Sequence, residues 1–197
     1  KTLDTLNLGG VMCGNAEMEV MANALASTSS SLRHFSLANS DVGVFGSQAL
    51  GGALETNTCL QNLCLNSNMI GDAGATALGH GLASNSSLVA MYLDDCGIGS
   101  TGSRALADAL ETNTILKTIN LASNEIGDAG ATALFFLGGA CAGLVLAWAR
   151  DRAAGDDGGG DEGADEDADE GSAGSPEDAR PPFLRRQSSD WILSFGG

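Results

Sequence analysis

The sequence predicts an α/β solenoid, a right-handed horseshoe arc with a parallel sheet inside and helices outside, followed by a disordered tail. Three observations predict it. Leucine-opened units recur every 28 residues at Leu32, Leu60, Leu88 and Leu116, and Leu3 opens an earlier unit at a spacing of 29. Each unit passes from a period-two apolar pattern to a helical one, so it is one strand followed by one helix. After residue 152 the chain becomes Gly, Ala, Asp and Glu with little else. Such a stretch cannot bury enough apolar surface to offset the entropy of ordering.

The strand of each unit is written L-x-x-L-x-L. It reads Leu3/Leu6/Leu8, Leu32/Phe35/Leu37, Leu60/Leu63/Leu65, Leu88/Met91/Leu93 and Leu116/Ile119/Leu121. The last two positions alternate with their neighbours, as in a strand with one buried face. An aliphatic–Gly pair follows at Val42-Gly43, Ile70-Gly71, Ile98-Gly99 and Ile126-Gly127, and a second Gly at Gly46, Gly74, Gly102 and Gly130. These glycines permit the turn from strand to helix where a Cβ would clash. The helix then carries Leu50/Leu54, Leu78/Leu82 and Leu106/Leu110, spaced i, i+4 on one face. An Asn closes each regular unit, at Asn57, Asn85 and Asn113. Neither strand nor helix can bury its apolar face alone, and stacking the units joins those faces into one core.

This pattern resembles the leucine-rich repeats of the ribonuclease-inhibitor type, through the 28-residue period and N-x-[IV]-G after L-x-x-L-x-L. The resemblance implies a structural ladder: Asn68 and Asn124 match the Asn that caps backbone groups in the loop after the strand, and Cys96 replaces it. Ser40 and Val11 depart from the pattern, so the first two loops are expected to be less rigid. The family includes sensor domains of NOD-like receptors, ribonuclease inhibitors and the Ran GTPase-activating protein. It implies a binding scaffold and no single activity.

The repeats are expected over 1–143, with units starting near 3, 32, 60, 88 and 116. The pattern fails after Leu134. Residues 129–149 are 21 residues without a charge, close to the ~20 that span a bilayer. The first six copy the repeat at 73–78, so residues 144–152 are read as a degenerate apolar cap, with the end of a membrane segment as the alternative. Residues 153–182 are the acidic disordered tail. Residues 183–197 form a C-terminal peptide, read as a floppy tail in preference to a docking motif or short helix.

Composition excludes several classes. The net charge is −16; residues 1–150 hold 12 acidic and 5 basic side chains, and residues 151–197 hold 13 and 4. A chain this acidic without a basic stripe does not bind nucleic acid through phosphates. The five cysteines (Cys13, Cys59, Cys64, Cys96, Cys141) are odd in number and lack CxxC spacing, which argues against a zinc site and a disulfide framework. Reduced thiols point to a cytoplasmic protein, and no leader is visible at the start of the sequence. No phosphate-cradling loop or dinucleotide fingerprint is present, so no cofactor, metal or small-molecule substrate is expected.

Strand alternation sends the leucine neighbours to the concave face: Thr5/Asn7/Gly9, His34/Ser36/Ala38, Asn62/Cys64/Asn66, Ala90/Tyr92/Asp94 and Thr118/Asn120/Ala122. Tyr92 with Asp94 and Asp95 is the leading binding candidate, because aromatic anchors carry much of the energy of interfaces. His34, Asn62, Asn66 and Asn120 complete the set. Taken singly, each is more often solvated surface that touches nothing. His34 and Cys64 fall one strand apart, roughly 8 Å between Cα atoms, but nothing orients the imidazole or stabilises an oxyanion, so no catalytic residue is assigned. Arg185-Arg-Gln-Ser188 has a form favoured by basic-directed kinases, which makes Ser188 a candidate phosphosite. Asn85-Ser-Ser has the N-glycosylation pattern, relevant only to a secreted chain. The expected function is a non-catalytic protein–protein interaction scaffold. The alternatives are a small-GTPase regulator similar to the Ran activator, whose acidic tail follows its repeats, and a membrane-tethered repeat protein.

Overall fold

The computed structural model describes residues 3–27, 31–138, 145–149, 185–187 and 190–194. Strands and helices alternate as β1 (Thr5–Asn7), α1 (Asn15–Ala26), β2 (His34–Ser36), α2 (Val44–Thr56), β3 (Asn62–Cys64), α3 (Gly71–Ser84), β4 (Ala90–Tyr92), α4 (Ser100–Leu110), β5 (Thr118–Asn120) and α5 (Gly127–Gly138). Then come β6 (Val145–Ala149), β7 (Arg185–Gln187) and β8 (Asp190–Ser194). All strands join one sheet in the order β1-β2-β3-β4-β5-β6-β8-β7. Strands β1 to β5 are parallel, each paired one repeat on, as in His34 with Asn62 and Asn62 with Ala90.

The leucine framework forms the core as its spacing requires. Leu37, Leu65, Leu93 and Leu121 are fully buried, and so are Leu63, Met91 and Ile119 at the strand centres. Against them pack Leu50/Leu54, Leu78/Leu82 and Leu106/Leu110 from the helices. Each such side chain contributes ~1.5–3 kcal/mol of burial. Neighbouring helices approach closely through glycine. A Cβ at Gly81 would collide with the Gly51 carbonyl, and one at Gly51 with the Ala77 carbonyl.

The true period is 56 residues, two units of alternating loop type. All five loops have a left-handed residue after the strand, at Gly10, Asn39, Ser67, Asp95 and Ser123. Units two and four place a second one at Asp41 (φ 57°) and Gly97 (φ 65°), whereas units three and five place it at Gly71 (φ 62°) and Gly127 (φ 63°). The ladder residue alternates with the loop: Ser40 and Cys96 in one type, Asn68 and Asn124 in the other.

Three expectations change. The Ser40 loop is tied down rather than loosened, since Ser40 is fully buried and its hydroxyl lies 3.0 Å from the Leu8 carbonyl, to which it donates. In the first loop Val11 is exposed and makes no such side-chain link. The expected cap at 144–152 contains β6, a parallel neighbour of β5 with Thr118 opposite Val145. That spacing is 27 residues, one short of the repeat. An apolar Val-Leu-Ala-Trp-Ala run suits a strand, and β5 offers it an unpaired edge. The C-terminal peptide contributes β8, antiparallel to β6, with β7 outermost. The 129–149 run is thus divided between α5 and β6, and no helix among the described residues is long and apolar enough to cross a membrane. The acidic segment 153–182 and Ser188 lie outside the described residues.

Candidate binding surface

The short strands set which side chains face the arc's interior. In β2, β3 and β5 the central residue is buried and its two neighbours are half-buried. His34, Asn62, Cys64, Tyr92, Asp94 and Asn120 therefore share the concave face, as alternation requires, while Ala90 is buried.

These residues hold one another in pairs across strands. The Asn62 side-chain amide meets His34 Nδ1 at 2.6 Å. With that amide donating, the imidazole carries its proton on Nε2, which lies 4.0 Å from Asp4 Oδ2. The strand register sets Cys64 opposite Ser36 and Tyr92 rather than His34. His34 is thus engaged by Asn62, and Cys64 is not its partner across the strands.

A second group lies beside Tyr92, which is in register with Asn120. Asn120 Nδ2 donates to Asp94 Oδ1 at 2.9 Å, and the Asp94 N–H donates to Asn66 Oδ1 at 3.3 Å. Burial lifts the Asp94 carboxyl above the usual carboxylate range; its backbone hydrogen bond opposes the rise and the Asp95 charge adds to it. Asp95 itself is exposed, in the left-handed conformation at φ 55°. No group of three or more metal-ligating side chains occurs among the described residues.

The ladder gives this face its rigidity. Asn68 Oδ1 accepts from the Ser40 and Val42 N–H groups, while its Nδ2 donates back to Leu37 and Leu65 carbonyls. Asn124 repeats the arrangement on Cys96, Ile98, Leu93 and Leu121. Cys96 donates its thiol to the Leu65 carbonyl at 3.2 Å, and burial pushes that thiol up to about 12. It is a structural donor, held as the thiol at neutral pH.

Two features escape sequence reasoning. Asn57, Asn85 and Asn113 form a second ladder before the strands, at the end of the sheet opposite the first ladder, where Asn85 is buried and bonded at both ends of its amide. That engagement removes it as a glycosylation acceptor in the folded chain. The second feature is an apolar rim of Met12 and Met69 on the loops after the strands, with Val44 and Phe45 at the start of α2. Its signal was present in the chain: methionine recurs at a loop position filled elsewhere by Asp41, Gly97 and Glu125.

Comparison with known proteins agrees with this architecture. A family model described as Leucine Rich repeat matches residues 56–79 and 112–135, two segments 56 residues apart. No curated protein matches the chain. Among solved structures, that of leiomodin-1 actin-binding site 2 is 22% identical, with a TM-score of 0.59, over 69% of this chain and 79% of its own. The tropomodulin C-terminal domain of Caenorhabditis elegans is 17% identical, also with a TM-score of 0.59, over 70% of this chain and 83% of its own. At these identities the likeness is one of fold.

Proposed function

We propose that this chain, a leucine-rich-repeat protein of the ribonuclease-inhibitor type, is a non-catalytic scaffold holding a protein partner on its concave face around Tyr92. The observation that carries the reading is the set of hydrogen bonds beside Tyr92. Asn66 and Asp94, just past β3 and β4, and Asn120 on β5 are linked by hydrogen bonds, so Tyr92, whose register partner is Asn120, has a preorganised polar network beside it. Preorganisation lowers the ordering cost that association imposes, and a half-buried Tyr offers a large rigid contact area. The similar leiomodin-1 domain is an actin-binding site, which supports a protein partner and makes actin the first to test. Reduced thiols fit a cytoplasmic setting.

The GTPase-regulator alternative asks for an arginine offered to the partner. Arg33 lies 3.4 Å from Asp4 and Arg104 stands on α4, on the helical side, so the scaffold reading is preferred. Pull-down with the full chain, followed by mass spectrometry and by co-sedimentation with purified actin, tests it. Tyr92→Ala is expected to weaken capture of the partner by more than about tenfold. Equal capture by the variant refutes the concave-face assignment.

A further inference from the structure

The loop rim beside the concave face carries apolar side chains that the core does not use. Met12 and Met69 hold the same loop position in the first and third units, and are 74% and 79% exposed. Between them α2 begins with Val44 and Phe45, both exposed. These loops are fastened side by side. The Cys13 N–H donates to the Ser40 carbonyl at 3.0 Å, and a Cβ at Gly43 would stand 4.0 Å from the Met69 carbonyl. The four residues therefore share one strip across three units, ~10 Å wide at ~4.8 Å per strand. Single exposed apolar residues need no explanation, whereas a grouped set marks a contact surface.

The strip lies among carboxylates. Asp41 and Asp95 are exposed, and Asp95 borders a surface depression opening beside Met69. Residues 3–138 hold 12 acidic and 3 basic side chains. We infer that this rim docks an amphipathic segment of a partner protein, with apolar side chains on one face and Lys or Arg beside them. The inference rests on the protein-binding reading above and assigns it a second surface. Charge selects the occupant. A second copy of this chain brings a net charge of −16 and the same carboxylates. The acidic segment 153–182 and an anionic membrane are repelled on the same ground. Methionine adapts its shape to such apolar segments.

The test uses the full chain and a fluorescein-labelled synthetic peptide of leucine and lysine, with the leucines at helical spacing. A peptide of equal charge with serine in place of leucine reports attraction to the acidic tail alone. The leucine peptide is expected to bind at least about tenfold more tightly than the serine peptide. The double variant Phe45→Ser/Met69→Ser removes that advantage, and Tyr92→Ala leaves it within about twofold. Both rim positions are exposed, and an unchanged urea midpoint verifies that the double variant folds. Equal affinity for the two peptides overturns the proposal, as does full retention of the advantage in the double variant. A concentration-dependent dimer abolished by the double variant also overturns it, because the occupant is then a second copy. Loss through Tyr92→Ala with the rim variant unaffected leaves the concave-face reading standing and removes the rim.

Discussion

Asn85 donates from its side-chain amide to the backbone carbonyl of Asn57 at 3.0 Å, one repeat earlier. Asn113 makes the same bond to Asn85 at 2.9 Å. Each amide oxygen also accepts the N–H groups that open the next strand, Ser87 and Leu88 for Asn85. The bonds run between units, so one residue holds parts of two repeats.

Asn85→Ala is therefore expected to cost ~2–4 kcal/mol, because it orphans buried donors and acceptors in both units at ~1–3 kcal/mol each. Urea unfolding of the full chain measures the loss. A shift below ~1 kcal/mol would show that water replaces the amide without strain.

Glycine substitutions separate packing from propensity. Gly81→Ala pushes a methyl into the Gly51 carbonyl, and overpacking of this kind costs ~1–3 kcal/mol. Gly52→Ala meets nothing within 4 Å on the exposed side of α2, where replacing Gly stabilises by ~0.4–1 kcal/mol. Thermal midpoints should move in opposite directions. Two destabilised variants would contradict the close approach of α2 and α3 as the cause.

Asp72 caps the helix of the following unit. Its Oδ1 accepts from Gly99 and Gly102 N–H groups, each at 2.8 Å, and the N-cap residue Gly99 has no side chain to do so. Asp72→Ala should cost ~1–2 kcal/mol, and Asp72→Asn less, since the amide oxygen keeps an acceptor but loses the charge at the helix N-terminus. Equal losses in the two variants would assign the effect to charge alone.

Asp94 predicts a pH signature. Burial raises its carboxyl above the ordinary 3.8, so the folded chain holds that proton more tightly than the unfolded chain. The contribution to stability is present below 3.8 and is lost as pH rises through the higher folded value. Asp94→Asn keeps an acceptor for Asn120 and removes the charge. It should be more stable than the parent at neutral pH, with the difference vanishing in acid. A variant less stable at neutral pH, with the parent's pH slope, would rule out desolvation of Asp94.

Most of the candidate face was legible because strand alternation is geometric. Once Leu63 and Leu65 are inward, Asn62 and Cys64 must face the arc's interior. The pairing of His34 with Asn62 was not legible, because it depends on the rotation of two side chains across strands. The rim was legible only in part. Methionine at one loop position is visible in the chain, but its exposure depends on how the loops stack.

The sequence by itself determined the repeat and the leucine core, since a 28-residue period with fixed apolar spacing allows one way to bury every unit's face; the first ladder was legible only through the resemblance to a known repeat family. Tertiary structure alone decided the functions of the second asparagine series. Asn57, Asn85 and Asn113 end similar helices in the sequence, yet their partners are backbone groups about 30 residues away, brought within 3.0 Å only when the units stack. It also decided the end of the sheet. Whether Val145–Ala149 extends the strands depends on an open edge at β5, and an edge exists only once its neighbours are in place.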